Sequence, residues 1–113
     1  MVERFAVDTS ILVALVDVRD KFHDAAKTLS TLLESSPAKV YYFDCVVIET
    51  VGVLCRRSEE QKRSAQLPLL IENLGRYVSP EKISWTGNKT RRLYMDVIEL
   101  VRQSNGQLNF NDA

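Results

Sequence analysis

The chain has little of what builds several familiar kinds of site. Its 113 residues include one histidine, two cysteines, four glycines and three prolines. Without a His/Cys cluster, a zinc centre has no ligand set. No glycine-rich loop is present to cradle a phosphate, and no nucleophile stands paired with a histidine. So little Gly and Pro, with 45% hydrophobic and 27% charged residues, argues against disorder. Charge of one sign is also missing, since 15 Lys and Arg balance 15 Asp and Glu. Nucleic acid would therefore be held by local basic clusters rather than by overall charge. No apolar run approaches the roughly 20 residues needed to span a bilayer. The start of the chain, Met1 to Arg4 leading into FAVDTSILVALVD, lacks the clean apolar core of a secretory signal. Repeats and linkers are absent as well. These features predict one cytoplasmic domain over residues 1–113, long enough to close a hydrophobic core.

Cys45 and Cys55 lie in a helix-like stretch. Ten residues of straight helix separate them by about 15 Å, too far for a disulfide. Apolar neighbours predict that both are buried free thiols, as suits a reducing compartment.

The pattern along the chain alternates strands and helices. Arg4–Val7 reads as a short buried strand with Asp8 at its carboxyl end, and Thr9 and Ser10 open a helix through ILVALV. Asp20 marks a second helix start, followed at helical spacing by Phe22, Ala25, Ala26, Leu29, Leu32 and Leu33. KVYYF, Lys39–Phe43, is aromatic and β-branched and reads as the second strand. Asp44 is placed to cap a helix from Cys45 to about Arg57; its valines and isoleucines favour a strand, but Glu49, Gly52 and Leu54 break strict alternation. Ser58 and Gln61 form a capping box for a helix through Leu74, kinked or divided at Pro68. Lys82–Trp85 is a third strand. A last helix from Asn88 to Ser104 carries Leu93, Tyr94, Val97, Ile98 and Val101 on one face and ends at Asn105-Gly106. The order β-α-α-β-α-α-β-α predicts an α/β fold around a parallel sheet. In such sheets ligands bind beyond the carboxyl ends of the strands.

Three acids have unusual company. Asp8 ends an apolar strand and precedes two hydroxyls. Glu49 lies in DCVVIETVGVL, where a charge is costly unless paired or bound to a metal. Asp112 follows an apolar step in LNFNDA. Carboxylates converging at strand ends suit a hard divalent cation such as Mg²⁺ or Mn²⁺, which prefers oxygen ligands and keeps several waters. Each acid also has a plainer reading: Asp8 as a helix cap, Glu49 as an exposed turn of an amphipathic helix, Asp112 as a solvated terminus. Asp44 reads as a helix cap, His23 as a packing residue, and Asp96 and Glu99 as solvent-facing. Two basic clusters, Arg56, Arg57, Lys62 and Arg63, then Lys89, Arg91 and Arg92, are candidate RNA-backbone contacts or ordinary solvated helix ends.

Four segments in order carry a resemblance: FAVDTSILVAL, an Asp-x-x-His-x-x-Ala pattern at Asp20, His23 and Ala26, VVIET, and LNFNDA. Together they span essentially the whole chain and resemble the PIN domain, the family that includes VapC-type toxins of prokaryotic toxin–antitoxin pairs. The resemblance implies a three-layer α/β/α fold with a central parallel sheet. It also implies a metal-dependent endoribonuclease whose acidic pocket holds Mg²⁺ or Mn²⁺ to activate water against an RNA phosphodiester. Asp8, Glu49 and Asp112 match the family's first three acids, and Thr9 and Ser10 match the hydroxyl-bearing residues beside the first. Implied partners are RNA, a protein antitoxin and a second copy in a homodimer, with no membrane. The family continues past an Asp-Ala step with a helix, strands and a fourth acid. The expectation is therefore a domain incomplete at its C-terminal side, weak in catalysis, with Arg4–Val7 as a bare sheet edge. The competing reading is a catalytically impaired PIN-like module acting in dimerisation or partner binding. A phosphoacceptor receiver domain fits poorly, because no acid pair precedes Asp8 and no strand-borne lysine comes late.

Overall fold

The computed structural model describes residues 3–86 and 88–103, apart from the side chains of residues 88–93. Three strands, β1 (Arg4–Ala6), β2 (Lys39–Phe43) and β3 (Ile83–Ser84), form a parallel sheet in the order β1-β2-β3. Phe5 stands opposite Val40, and Tyr42 opposite Ile83. Parallel strands need long crossovers, usually helical, and the chain supplies two. α1 (Thr9–Val16) and α2 (His23–Glu34) join β1 to β2, and α3 (Asp44–Glu60) and α4 (Leu67–Tyr77) join β2 to β3. α5 (Asn88–Gln103) follows. The fold is mixed α/β, as the alternating pattern predicts.

β1 departs from its expected burial. Arg4, Phe5 and Ala6 are all exposed, and Val7 is the first buried residue. The cause is position, since among the described residues β1 borders β2 alone. Pairing still runs past both ends: Lys39 N–H donates to Glu3 O at 2.8 Å, and Val7 N–H donates to Tyr41 O at 3.0 Å. β2 alternates in the manner of a strand. Val40 and Tyr42 pack against the core, whereas Tyr41 and Phe43 stack on each other, ring centroids 6.0 Å apart.

The core is built on α1, whose Leu12, Val13, Ala14, Leu15 and Val16 are all buried. A helix apolar on every side must be enclosed, and α1 packs against α2, α3 and α4. In α3, Val47, Val51, Leu54, Cys55 and Ser58 form the buried stripe. That burial overrides the strand preference of the β-branched residues, and the helix runs three residues beyond Arg57. The last helix buries Tyr94, Ile98 and Val101, and Tyr94 meets the Trp85 ring edge-on at 5.5 Å. Leu93 lies among the undescribed side chains, and Ser104, Asn105 and Gly106 lie outside the described residues.

Three boundaries correct the sequence expectations. The second helix begins at His23, because Asp20 closes a turn ahead of it by accepting from Phe22 N–H at 2.8 Å. Ser58 is buried inside α3 and caps nothing; the chain turns at Lys62, where φ is 54°. The expected Ser58–Leu74 helix is divided rather than kinked: α3 ends at Glu60, and Pro68 sits in the first turn of α4, where its missing N–H has no bond to make. The two thiols also differ. Cys55 is buried, which pushes its pKa up to about 11, while Cys45 is exposed, contrary to the expectation that both are buried.

Candidate functional site

Asp8 lies just beyond β1 and caps α1. Its backbone is extended, and its Oδ1 accepts from Ile11 N–H at 3.1 Å, satisfying one of the unpaired donors of the helix start. The capping reading is therefore correct, yet capping uses only Oδ1, and Oδ2 has no hydrogen bond among the described residues. Thr9, the first residue of α1, reaches across the sheet end. Its Oγ1 donates to Glu49 Oε2 at 3.0 Å, linking residues 40 apart in sequence. Glu49 stands on α3, the helix that follows β2, so the two acids belong to elements leaving neighbouring parallel strands.

Glu49 is exposed, which corrects the premise that its apolar neighbours impose a burial cost on it. On a helix the apolar residues beside it in sequence turn toward the core while Glu49 turns to water. Ser10 is exposed and makes no side-chain hydrogen bond among the described residues. Asp112 lies outside the described residues, as the side chains of Lys89, Arg91 and Arg92 do. Among the described residues no group of three or more His, Cys, Asp or Glu is close enough to hold a metal ion.

Two further acids, Asp17, which no sequence pattern singled out, and Asp20, read as a helix start, are engaged by arginines. Asp17 ends α1 and is only 2% exposed. Arg63 grips it with both terminal nitrogens, Nη1 to Oδ1 at 3.3 Å and Nη2 to Oδ2 at 3.1 Å, and Arg19 N–H donates to Oδ1 at 3.0 Å. Arg57 Nη1 adds a contact to Asp17 Oδ2 at 3.6 Å and a shorter bond to Asp20 Oδ2 at 2.8 Å. Burial raises both carboxyls, but the arginine and backbone donors outweigh it, and the pKa values of Asp17 and Asp20 fall below the ordinary range. Arg63 is thus buried and structural, neither a solvated helix end nor a free cation, while Arg57 pairs with the two acids through Nη1 and keeps 34% of its side chain exposed. Arg56 and Lys62 stay exposed. Spacing alone gives no sign of a pair separated by 46 residues.

Asp44 is not the cap that the sequence suggested, since the N-cap of α3 is Phe43. It is the first residue of α3 and 2% exposed, with Oδ1 accepting from Cys45 N–H at 2.8 Å. Oδ2 accepts from Thr86 N–H at 3.0 Å and from Thr86 Oγ1 at 2.7 Å. Burial raises this carboxyl, the Thr86 donors and Cys45 N–H more than offset it, and the pKa is lowered. The carboxylate therefore fastens Thr86, two residues beyond β3, to the start of the helix that carries Glu49. His23 is half-buried, and its Nδ1–H donates to Ala14 O at 2.7 Å, consistent with a packing role. Asp96 and Glu99 face solvent, as expected.

Comparison with protein-family models, curated proteins and solved structures found no match.

Proposed function

We propose that the chain is a PIN-like, metal-dependent endoribonuclease, with Asp8, Glu49 and Asp112 as its acids and Thr9 and Ser10 beside them. The observation that supports this reading most is the Thr9–Glu49 hydrogen bond of 3.0 Å, which draws the second acid to the segment bearing the first. The donor set fits Mg²⁺ or Mn²⁺: hard oxygens only, exposed to water, with Asp8 Oδ2 and Glu49 Oε1 unused by the described residues. Asp8 and Glu49, joined by Asp112, would hold the ion, which supplies Lewis acidity and a water of lowered pKa. The protein's own part is positional. Ile11 N–H fixes Asp8 through one oxygen, Thr9 fixes Glu49 through one oxygen, and each carboxylate keeps its other oxygen for the ion. An RNA substrate, an antitoxin that covers the acids, and a toxin role belong to this proposal.

Mn²⁺ titration of the wild type and Asp8→Asn tests it, together with cleavage of single-stranded RNA in Mg²⁺ by wild type and Glu49→Gln. We expect Asp8→Asn to weaken Mn²⁺ binding at least about tenfold, the lower end of what altering a ligand's surroundings costs, and Glu49→Gln to abolish whatever cleavage the wild type shows. Equal Mn²⁺ binding by both proteins removes Asp8 from the site. The second reading is a catalytically impaired PIN-like module that pairs with another copy or another protein. Phe5, 42% exposed, and Phe43, 38% exposed, favour it, lying on a small sheet whose β1 borders only β2 among the described residues. Self-association without metal binding or cleavage is the outcome that selects it.

A further inference from the structure

Two hollows away from the acids share a wall. The larger, about 410 Å³, is bounded by β1, β2, α1 and α2, and its surface includes Val7, Ile11, Leu15, Leu29, Leu33 and Val40. The smaller, about 340 Å³, has the opposite character and is lined by His23, Lys27, Arg76 and Asn73. Leu15, Glu34, Tyr77 and Lys82 line both, so the apolar hollow adjoins the polar one across these four residues. Both are clefts open to solvent on one side. Each of these two has the size of a small-molecule site, a mainly apolar surface with a few convergent polar groups being the usual pattern.

The charges at the junction choose the ligand. Arg76 is engaged by Glu72 at 3.0 Å. Among the described residues Lys27 and Lys82 make no ion pair, and Glu34 is the one acid lining either hollow. The polar hollow is therefore net cationic, beside an apolar hollow bounded partly by Leu29, itself 39% exposed. Filling that hollow removes aliphatic surface from water, worth about 25 cal/mol for each Å², and two unpaired lysines favour an anionic head over a neutral or cationic one.

We propose that this double hollow binds an amphipathic anion, an aliphatic carboxylate whose chain occupies the space between the sheet and α2 and whose head lies against Lys82 and Lys27. The site is independent of Asp8 and Glu49, and its occupancy does not depend on nuclease activity. Tyr42, on the same wall, keeps its proton, because burial and then the charge of Glu34 raise its pKa. It serves as a neutral hydroxyl donor near the junction.

Calorimetric titration of the full chain with dodecanoate, dodecanol and dodecyltrimethylammonium, each below its micelle threshold, tests the assignment. Dodecanoate is expected to bind saturably at one site and more tightly than the other two. Lys82→Met should weaken dodecanoate about fivefold, as loss of a solvent-exposed ion pair does, and leave dodecanol unchanged. Leu29→Trp, at a position open enough to accept a larger ring, should fill the apolar hollow and weaken all three, with circular dichroism confirming an unchanged fold. Absence of saturable dodecanoate binding overturns the proposal. So does equal affinity for dodecanol, or dodecanoate binding that ignores both substitutions.

Discussion

Asp8 and Asp17 stand at the two ends of the same short helix, and the protein treats them in opposite ways. At the amino end of α1 the helix dipole and free N–H groups welcome a carboxylate. Asp8 is held there by a single bond from Ile11 N–H and remains exposed with an oxygen to spare. At the carboxyl end the dipole opposes a negative charge, and Asp17 is buried as well. It persists because Arg63 binds both its oxygens and Arg57 stands beside it. An acid whose every oxygen is claimed by the protein holds the fold together. An acid held on one oxygen keeps capacity for something outside the protein. Asp44 belongs with Asp17 by this criterion, and Glu49 with Asp8.

The sharpest way to break the comparison is Arg63→Ala. It strands Asp17 in the interior and should cost about 3–5 kcal/mol, as removal of one partner from a buried ion pair does, read from the urea midpoint. Acid is the next test. Asp17, Asp20 and Asp44 have folded pKa values below the ordinary 3.8. Their contribution is complete above that value and is lost as pH falls through the lower folded ones, since the unfolded chain then binds more protons. Urea midpoints should accordingly decline below the ordinary carboxyl range, and Arg63→Ala should flatten that decline. The smallest effect is expected at the exposed end. Asp8→Asn, which retains the cap, and Glu49→Gln should each change stability by less than about 0.5 kcal/mol, even where they remove metal binding. A large loss of stability in either would make that acid structural and end the contrast.

The order of elements was legible because each helix buries a regular stripe, such as Val47, Val51 and Leu54, and β2 is an aromatic and β-branched run. Boundaries were less so. Pro68 carries the same letter whether it bends a helix or begins one, and only the turn at Lys62 decides between the two. The exposure of β1 depends on which strands flank it, which no local pattern records. Asp8 and Glu49 were picked out through their neighbours, but for Glu49 that signal misled, since the apolar residues beside it turn inward while it stays exposed; the hydrogen bond from Thr9 links the two segments. Asp17–Arg63 and Asp44–Thr86 left no trace, because their partners lie 46 and 42 residues away and spacing carries no information across such loops.

The unequal burial of the two cysteines gives the molecule a clock. Only a thiolate reacts with alkylating reagents. Cys55, enclosed in the core and with a pKa pushed up to about 11, is modified only in the intervals when α3 parts from its neighbours. Cys45, exposed in the first turn of the same helix, reacts without waiting and sets the unit of time. The ratio of the two labelling rates therefore counts how often the interior opens, on a single chain and with no probe added to it.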